Sequence, residues 1–168
     1  ELGAIGAQTV DEGELLAITI AGTDADVPVQ PLIYELIGDV PPGAQIDAVT
    51  GEFAWTPTEA EGPGAGEITV QVSDSVTPPL SATSTFTVTA NEVNAPPVVE
   101  SMSSEQVTVN EEEAVSVTVT ASDPDLPANV LTYSLGAGAP DGSSIDPTSG
   151  VFTWTPTKAQ GPSNNPIT

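Results

Sequence analysis

Two tandem β-sandwiches, with no helical domain, are what this sequence predicts, and three observations predict them. A phrase of 13 residues, "GEFAWTPTEAEGP" at 51–63, returns as "GVFTWTPTKAQGP" at 150–162, an offset of 99 residues. Apolar side chains fall in short period-2 runs such as "ITVQVS" and "VSVTVT", the alternation of strands with one buried face. Prolines recur every few residues in the first copy, at 28, 31, 41, 42, 57, 63, 78 and 79, too densely for long helices.

The offset does not drift. Residues 1–69 laid without gaps on 100–168 share 27 identities, among them Thr9/Thr108, Asp24/Asp123, Tyr34/Tyr133 and Trp55/Trp154. Such self-similarity indicates a tandem duplication, with a first domain over 1–94 and a second over 95–168. Strands are predicted at "LLAITIAG", "LIYELI", "EFAWT", "EITVQVSD" and "STFTVTA", separated by turn phrases such as "PPGAQ" and "VTGE". About seven short strands per copy reads as an immunoglobulin-like Greek-key sandwich. Phe53 and Trp55 share one face of their strand, as do Phe152 and Trp154, so all four are expected in cores; the competing reading of the Trp pair is a sugar-stacking platform. The first copy runs on for 30 residues past Thr69. The second stops at the equivalent Thr168, so its last strands are expected from a longer chain or from a neighbouring subunit.

Charge excludes several functions. The chain carries 24 Asp and Glu against one Lys, with no Arg and no His, for a formal net charge of −23. Nucleic-acid binding needs Lys and Arg to displace counterions from phosphate. Without His or Cys, Ser–His–Asp, Cys–His and zinc–imidazole chemistry are impossible here, and the expectation is a non-enzyme. No run approaches the roughly 18 apolar residues of a membrane-spanning helix. Acidity on this scale suits cations, or a solubilised surface. Each copy places two carboxylates at i and i+2 after a strand, "TDAD" at 23–26 and "SDPD" at 122–125. Hard cations take 6–8 oxygen ligands from such groups, although Asp is also a common turn residue.

With these phrases together, the chain resembles the bacterial cadherin-like and immunoglobulin-like repeats. The matching stretches are "VDEGE" and "VNEEE" on the first strand, the two Asp-x-Asp loops, "IDAVTGEFAWTPT" and "IDPTSGVFTWTPT", "TVQVSD", and "NEVNAPP" as linker. The resemblance implies calcium at the junction of consecutive domains. Its ligands would be Glu12, Glu59 or Glu61, and Asn91, Glu92 and Asn94 from the leading domain, with Asp123, Asp125 and the carbonyl of Asn129 from the following one. Asp24, Asp26 and Asp74 resemble the follower half of another junction. Lys158 and Gln160 stand where the first copy has Glu59 and Glu61, which weakens the equivalent site. The implied function is that of a prokaryotic extracellular adhesin, stalk or fibre repeat whose partners are neighbouring copies of itself, with a surface glycan or protein as a further ligand. The alternative is a carbohydrate-binding or spacer module of a secreted polysaccharide-degrading enzyme.

Overall fold

A computed structural model describes residues 1–104 and 106–165. The described residues are all-β apart from one 3-10 turn, Lys158–Gln160. It divides into two compact units, Glu1–Asn94 and Ala95–Thr168.

The first unit has seven strands: β1 (Gln8–Asp11), β2 (Leu16–Thr19), β3 (Ile33–Ile37), β4 (Gln45–Ile46), β5 (Glu52–Trp55), β6 (Gly64–Ser73) and β7 (Ser81–Asn91). They form a four-stranded sheet in the order β1-β7-β6-β3 and a three-stranded sheet in the order β2-β5-β4. β1 runs parallel to β7, whereas β3 is antiparallel to β6 and β6 to β7. Alternation decides the interior: Ile68, Val70 and Val72 of β6 and Phe86, Val88 and Ala90 of β7 turn inward against Phe53, Trp55, Leu16 and Tyr34. The rings of Phe53 and Phe86 meet edge to face with centroids 5.6 Å apart, a favoured aromatic geometry.

The turn between β4 and β5 shows why the "VTGE" phrase is a turn. The Asp47 carboxylate accepts the N–H groups of Val49 and Thr50 at 2.9 and 2.7 Å, and Gly51 N–H donates to the Asp47 carbonyl at 2.9 Å. Gly51 has φ of +70°, open to glycine at no steric cost. The second unit repeats the device. Asp146 accepts from Thr148 and Ser149 at 3.0 and 2.8 Å, and Gly150 has φ of +67°.

The second unit carries β8 (Val98–Met102), β9 (Val115–Ser122), β10 (Ser144–Ile145) and β11 (Val151–Trp154), ordered β10-β11-β9-β8. Displaced by the 99-residue offset, β9, β10 and β11 reproduce β2, β4 and β5, and the described residues of this unit form one sheet. Residues 107–110 and 132–136, the equivalents of β1 and β3, are not strands. In the first unit those two strands pair only with β7 and β6. The Trp pair differs from expectation. Trp55, beside Gly64, Ile68 and Val88, is buried, 5 % exposed, while among the described residues Trp154 is only half-buried. Both indoles still donate Nε1–H to equivalent carbonyls, Pro42 at 3.0 Å and Asp141 at 3.2 Å.

Candidate metal centre

Glu12, directly after β1, Glu59, after β5, and Glu92, directly after β7, come together. One carboxylate oxygen from each lies within 4.8 Å of the other two, and among the described residues no other group of three or more acids does this. The fold makes the convergence. Parallel pairing of β1 with β7 brings Asp11 opposite Asn91, and Glu12 N–H donates to the Asn91 carbonyl at 3.0 Å. Glu12 is nine-tenths buried. Its Oε1 accepts the Val93 N–H at 3.1 Å, yet its Oε2 is buried with no hydrogen-bond partner. An orphaned carboxylate oxygen costs free energy unless something neutralises it. No basic side chain exists anywhere in residues 1–94. Carboxylates at such spacing repel one another by a few kcal/mol per pair at an effective dielectric of about 20, so the missing charge suits a cation from solution. A donor set made only of oxygens fits calcium better than zinc or copper.

The choice between Glu59 and Glu61 is made locally. Glu61 turns back on its own loop, where its Oε2 accepts the N–H of Thr58 at 2.8 Å and the Thr58 hydroxyl at 2.6 Å. Those bonds hold its carboxyl below the usual range. Gln160 repeats the arrangement on Thr157. Glu59, left by this cap, joins the cluster. Gly62, not anticipated as a site residue, lies under Glu12: a Cβ there would meet Glu12 Oε2. A glycine within "EAEGP" was the only sign of it in the sequence.

The other expected ligands make contacts of their own. The Asn91 side chain donates to Asp11 Oδ1 at 2.9 Å rather than entering the cluster. Asp24 accepts the Asp26 N–H at 2.8 Å in a local turn. Asp74 accepts from Val76 and Leu80 at 3.3 and 3.0 Å, so its carboxylate closes the β6–β7 loop. In the second unit, Asp125 is almost fully buried. It accepts the Ala95 N–H at 2.9 Å and the Asn129 amide at 2.7 Å, and Asp123 accepts the N–H groups of Asp125 and Asn129. Asn94, the last residue of the first unit, is exposed. Lys158, at the position equivalent to Glu59, lies 3.7 Å from Glu112 with both side chains exposed.

Among solved structures, human CDH23 EC21-23 is similar at 24 % identity with a TM-score of 0.55, covering 91 % of this chain and 52 % of that one. Mouse Cadherin-23 EC22-24 is similar at 23 % identity and TM-score 0.50, covering 92 % and 51 %. Protocadherin Gamma C5 EC1-3 follows at 14 % identity and TM-score 0.51, covering 95 % and 58 %. The chain thus spans about half the length of these structures, and the likeness is one of fold. No curated protein matches the sequence. The family model described as Putative Ig domain matches residues 2–91 and again 96–168, one match to each unit, and the chain belongs to that family as two tandem repeats.

Proposed function

We propose that this chain is a non-catalytic, extracellular structural module whose tandem repeats bind calcium as part of a prokaryotic surface adhesin, stalk or fibre, in company with neighbouring copies of itself. The observation that carries the proposal is the Glu12–Glu59–Glu92 cluster with its orphaned Glu12 oxygen. A calcium ion held there ties together the first strand, the loop after β5 and the first residues of the linker. The chain leaving the first unit would then be stiffened by the metal. The second copy substitutes Lys158 for Glu59, so one high-affinity site is expected from this cluster rather than two equivalent ones. Asp123 and Asp125 are the proposed ligands contributed by the second repeat, and Asp24, Asp26 and Asp74 their equivalents in the first.

The test is a melting curve of the full chain in millimolar calcium and in chelator, beside a calcorimetric titration. Calcium at 100 times its Kd stabilises the folded form by about 2.7 kcal/mol, and Glu12→Gln should remove most of that gain. A melting temperature indifferent to calcium and chelator would overturn the proposal. The carbohydrate-binding alternative draws on half-buried Trp154, whose cleft of about 250 Å³ also presents Ser116 and Thr153. Chemical-shift changes at Trp154 on adding oligosaccharides would favour it.

A further inference from the structure

We infer that the second repeat carries its own cation where the first takes one from solution: the Lys158 ammonium, paired with Glu112, stands in the place of the metal, and these loops of the second repeat are independent of calcium. The inference rests on the reading of the Glu12–Glu59–Glu92 cluster as a cation site.

The loops that carry Glu59 and Lys158 are built alike. Thr58 and Thr157 open them, and the side chain three residues on, Glu61 or Gln160, accepts the backbone N–H and the hydroxyl of that threonine. Glu61 N–H donates to the Thr58 carbonyl at 2.9 Å, and Gln160 N–H to the Thr157 carbonyl at 3.0 Å. The turn that follows Glu12 or Glu111 is fastened to the same loop in both copies. Gly13 N–H donates to the Pro57 carbonyl at 2.8 Å, and Glu112 N–H to the Pro156 carbonyl at 2.7 Å. With the backbone matched, the side chains that differ carry the information.

The differences are in charge, and two of them face each other. Lys158, the one basic side chain in the sequence, falls at the position of Glu59, and Gln160 removes the charge of Glu61. Glu112 replaces Gly13, and its carboxylate lies 3.7 Å from the Lys158 ammonium. Glu112 is also the one non-glycine with positive φ among the described residues, at +67° against +76° for Gly13. An L side chain is disfavoured in that region, so a glutamate stands where glycine would sit without strain, and the ammonium opposite gives it a role. Both side chains are exposed, so the pair adds little to stability. Its effect is on what the loop can bind. An ammonium has three donors and no acceptor, so Lys158 cannot ligate a metal, and its charge repels a divalent ion from the carboxylates beside it. Each position compared is present in both copies.

Amide hydrogen exchange of the full chain, in millimolar calcium and in chelator, reads the two repeats separately. Calcium should slow exchange roughly tenfold or more at 12–13 and 59–62 and leave 111–112 and 158–161 unchanged. A second arm moves the cation into the first repeat. Glu59→Lys should abolish the calcium effect there and melt higher in chelator than Glu59→Gln, which removes the ligand without supplying a charge. Gly13→Glu should lower the melting temperature less in the Glu59→Lys chain than in the wild type, the coupling expected of a facing pair. Calcium-slowed exchange in the loops of both repeats would overturn this inference and leave the cation site of the first repeat standing. No response in either repeat would overturn both. A Glu59→Lys chain that melts no higher in chelator than Glu59→Gln would overturn the exchange of ammonium for metal alone.

Discussion

The Oε2 atom of Glu12 lies against Gly62, in the space that a side-chain methyl group on residue 62 would need. Gly62 does not use the left-handed backbone region, so its value is room rather than conformational freedom. Gly62→Ala should therefore push the Glu12 carboxylate out of the cluster, and the Asn91 carbonyl, 3.3 Å from the new Cβ, would have to give slightly as well. The expected outcome is a chain that melts within about 1 kcal/mol of wild type in chelator but has lost most of its calcium-dependent stabilisation. Calorimetric titration beside melting curves checks it. An undiminished calcium response in Gly62→Ala would show that the ion does not use Glu12.

Acid should weaken both units through the same turn. Asp47 is held below its ordinary value of 3.8 by the N–H groups of Thr50 and Val49, and Asp146 likewise by Ser149 and Thr148. A carboxyl whose folded value is lowered contributes stability that is complete above its unfolded value and lost as pH falls through the folded one. The window thus lies below about pH 3.8. Protonation elsewhere also relieves the repulsion of a chain with net charge −23, so the raw melting temperature mixes two opposed effects. The double variant Asp47→Asn/Asp146→Asn keeps a side-chain oxygen for the turn but does not titrate. The stability gap between wild type and variant should be constant above about pH 5 and close as pH drops below 3.8; a gap that widens in acid would contradict the assignment.

The longer strands were legible because period-2 alternation over five or more residues has no competing explanation, as in "EITVQVSD" for β6. β1 and β4, of four and two residues, are too short to carry a period and exist because neighbours pair with them. Alternation also placed Phe152 and Trp154 on one face, but it says which side a residue takes and not whether a second sheet lies opposite. Among the described residues Phe152 is buried and Trp154 half-buried. At the candidate site, resemblance brought forward Glu12, Glu59 and Glu92, while the choice of Glu59 over Glu61 needed the Thr58 cap. The space that Gly62 leaves for a carboxylate arises from contacts between segments far apart in sequence, which no local pattern encodes.

Gly51 and Gly150 should be the least replaceable glycines. Both have positive φ, and a Cβ on either would strike a backbone carbonyl, that of Ile20 or Val119, besides crowding the ring of Tyr34 or Tyr133. The left-handed region alone costs an L side chain roughly 1–2 kcal/mol, and a backbone carbonyl within β9 or directly after β2 cannot swing aside as a carboxylate can. Gly51→Ala should cost more than about 2 kcal/mol in urea melts, clearly exceeding Gly66→Ala, where a Cβ meets nothing within 4 Å.

The two tryptophans provide a direct measure of how differently the repeats are closed. Trp55 is 5 % exposed and stands against β6 and β7, so Trp55→Ala should cost about 3–5 kcal/mol, the range for truncating a buried aromatic. Trp154 occupies the equivalent strand position and makes the equivalent indole hydrogen bond, but it is half-buried in an open cleft. Less apolar area is lost on its removal, so Trp154→Ala should cost roughly half as much. Fluorescence separates the pair without mutation of the core: acrylamide should quench the Trp154 component readily and leave the Trp55 component largely protected. Trp154→Phe should leave a blue-shifted, poorly quenched emission from Trp55 alone. Equal quenching of both residues would contradict the difference in burial between Trp55 and Trp154.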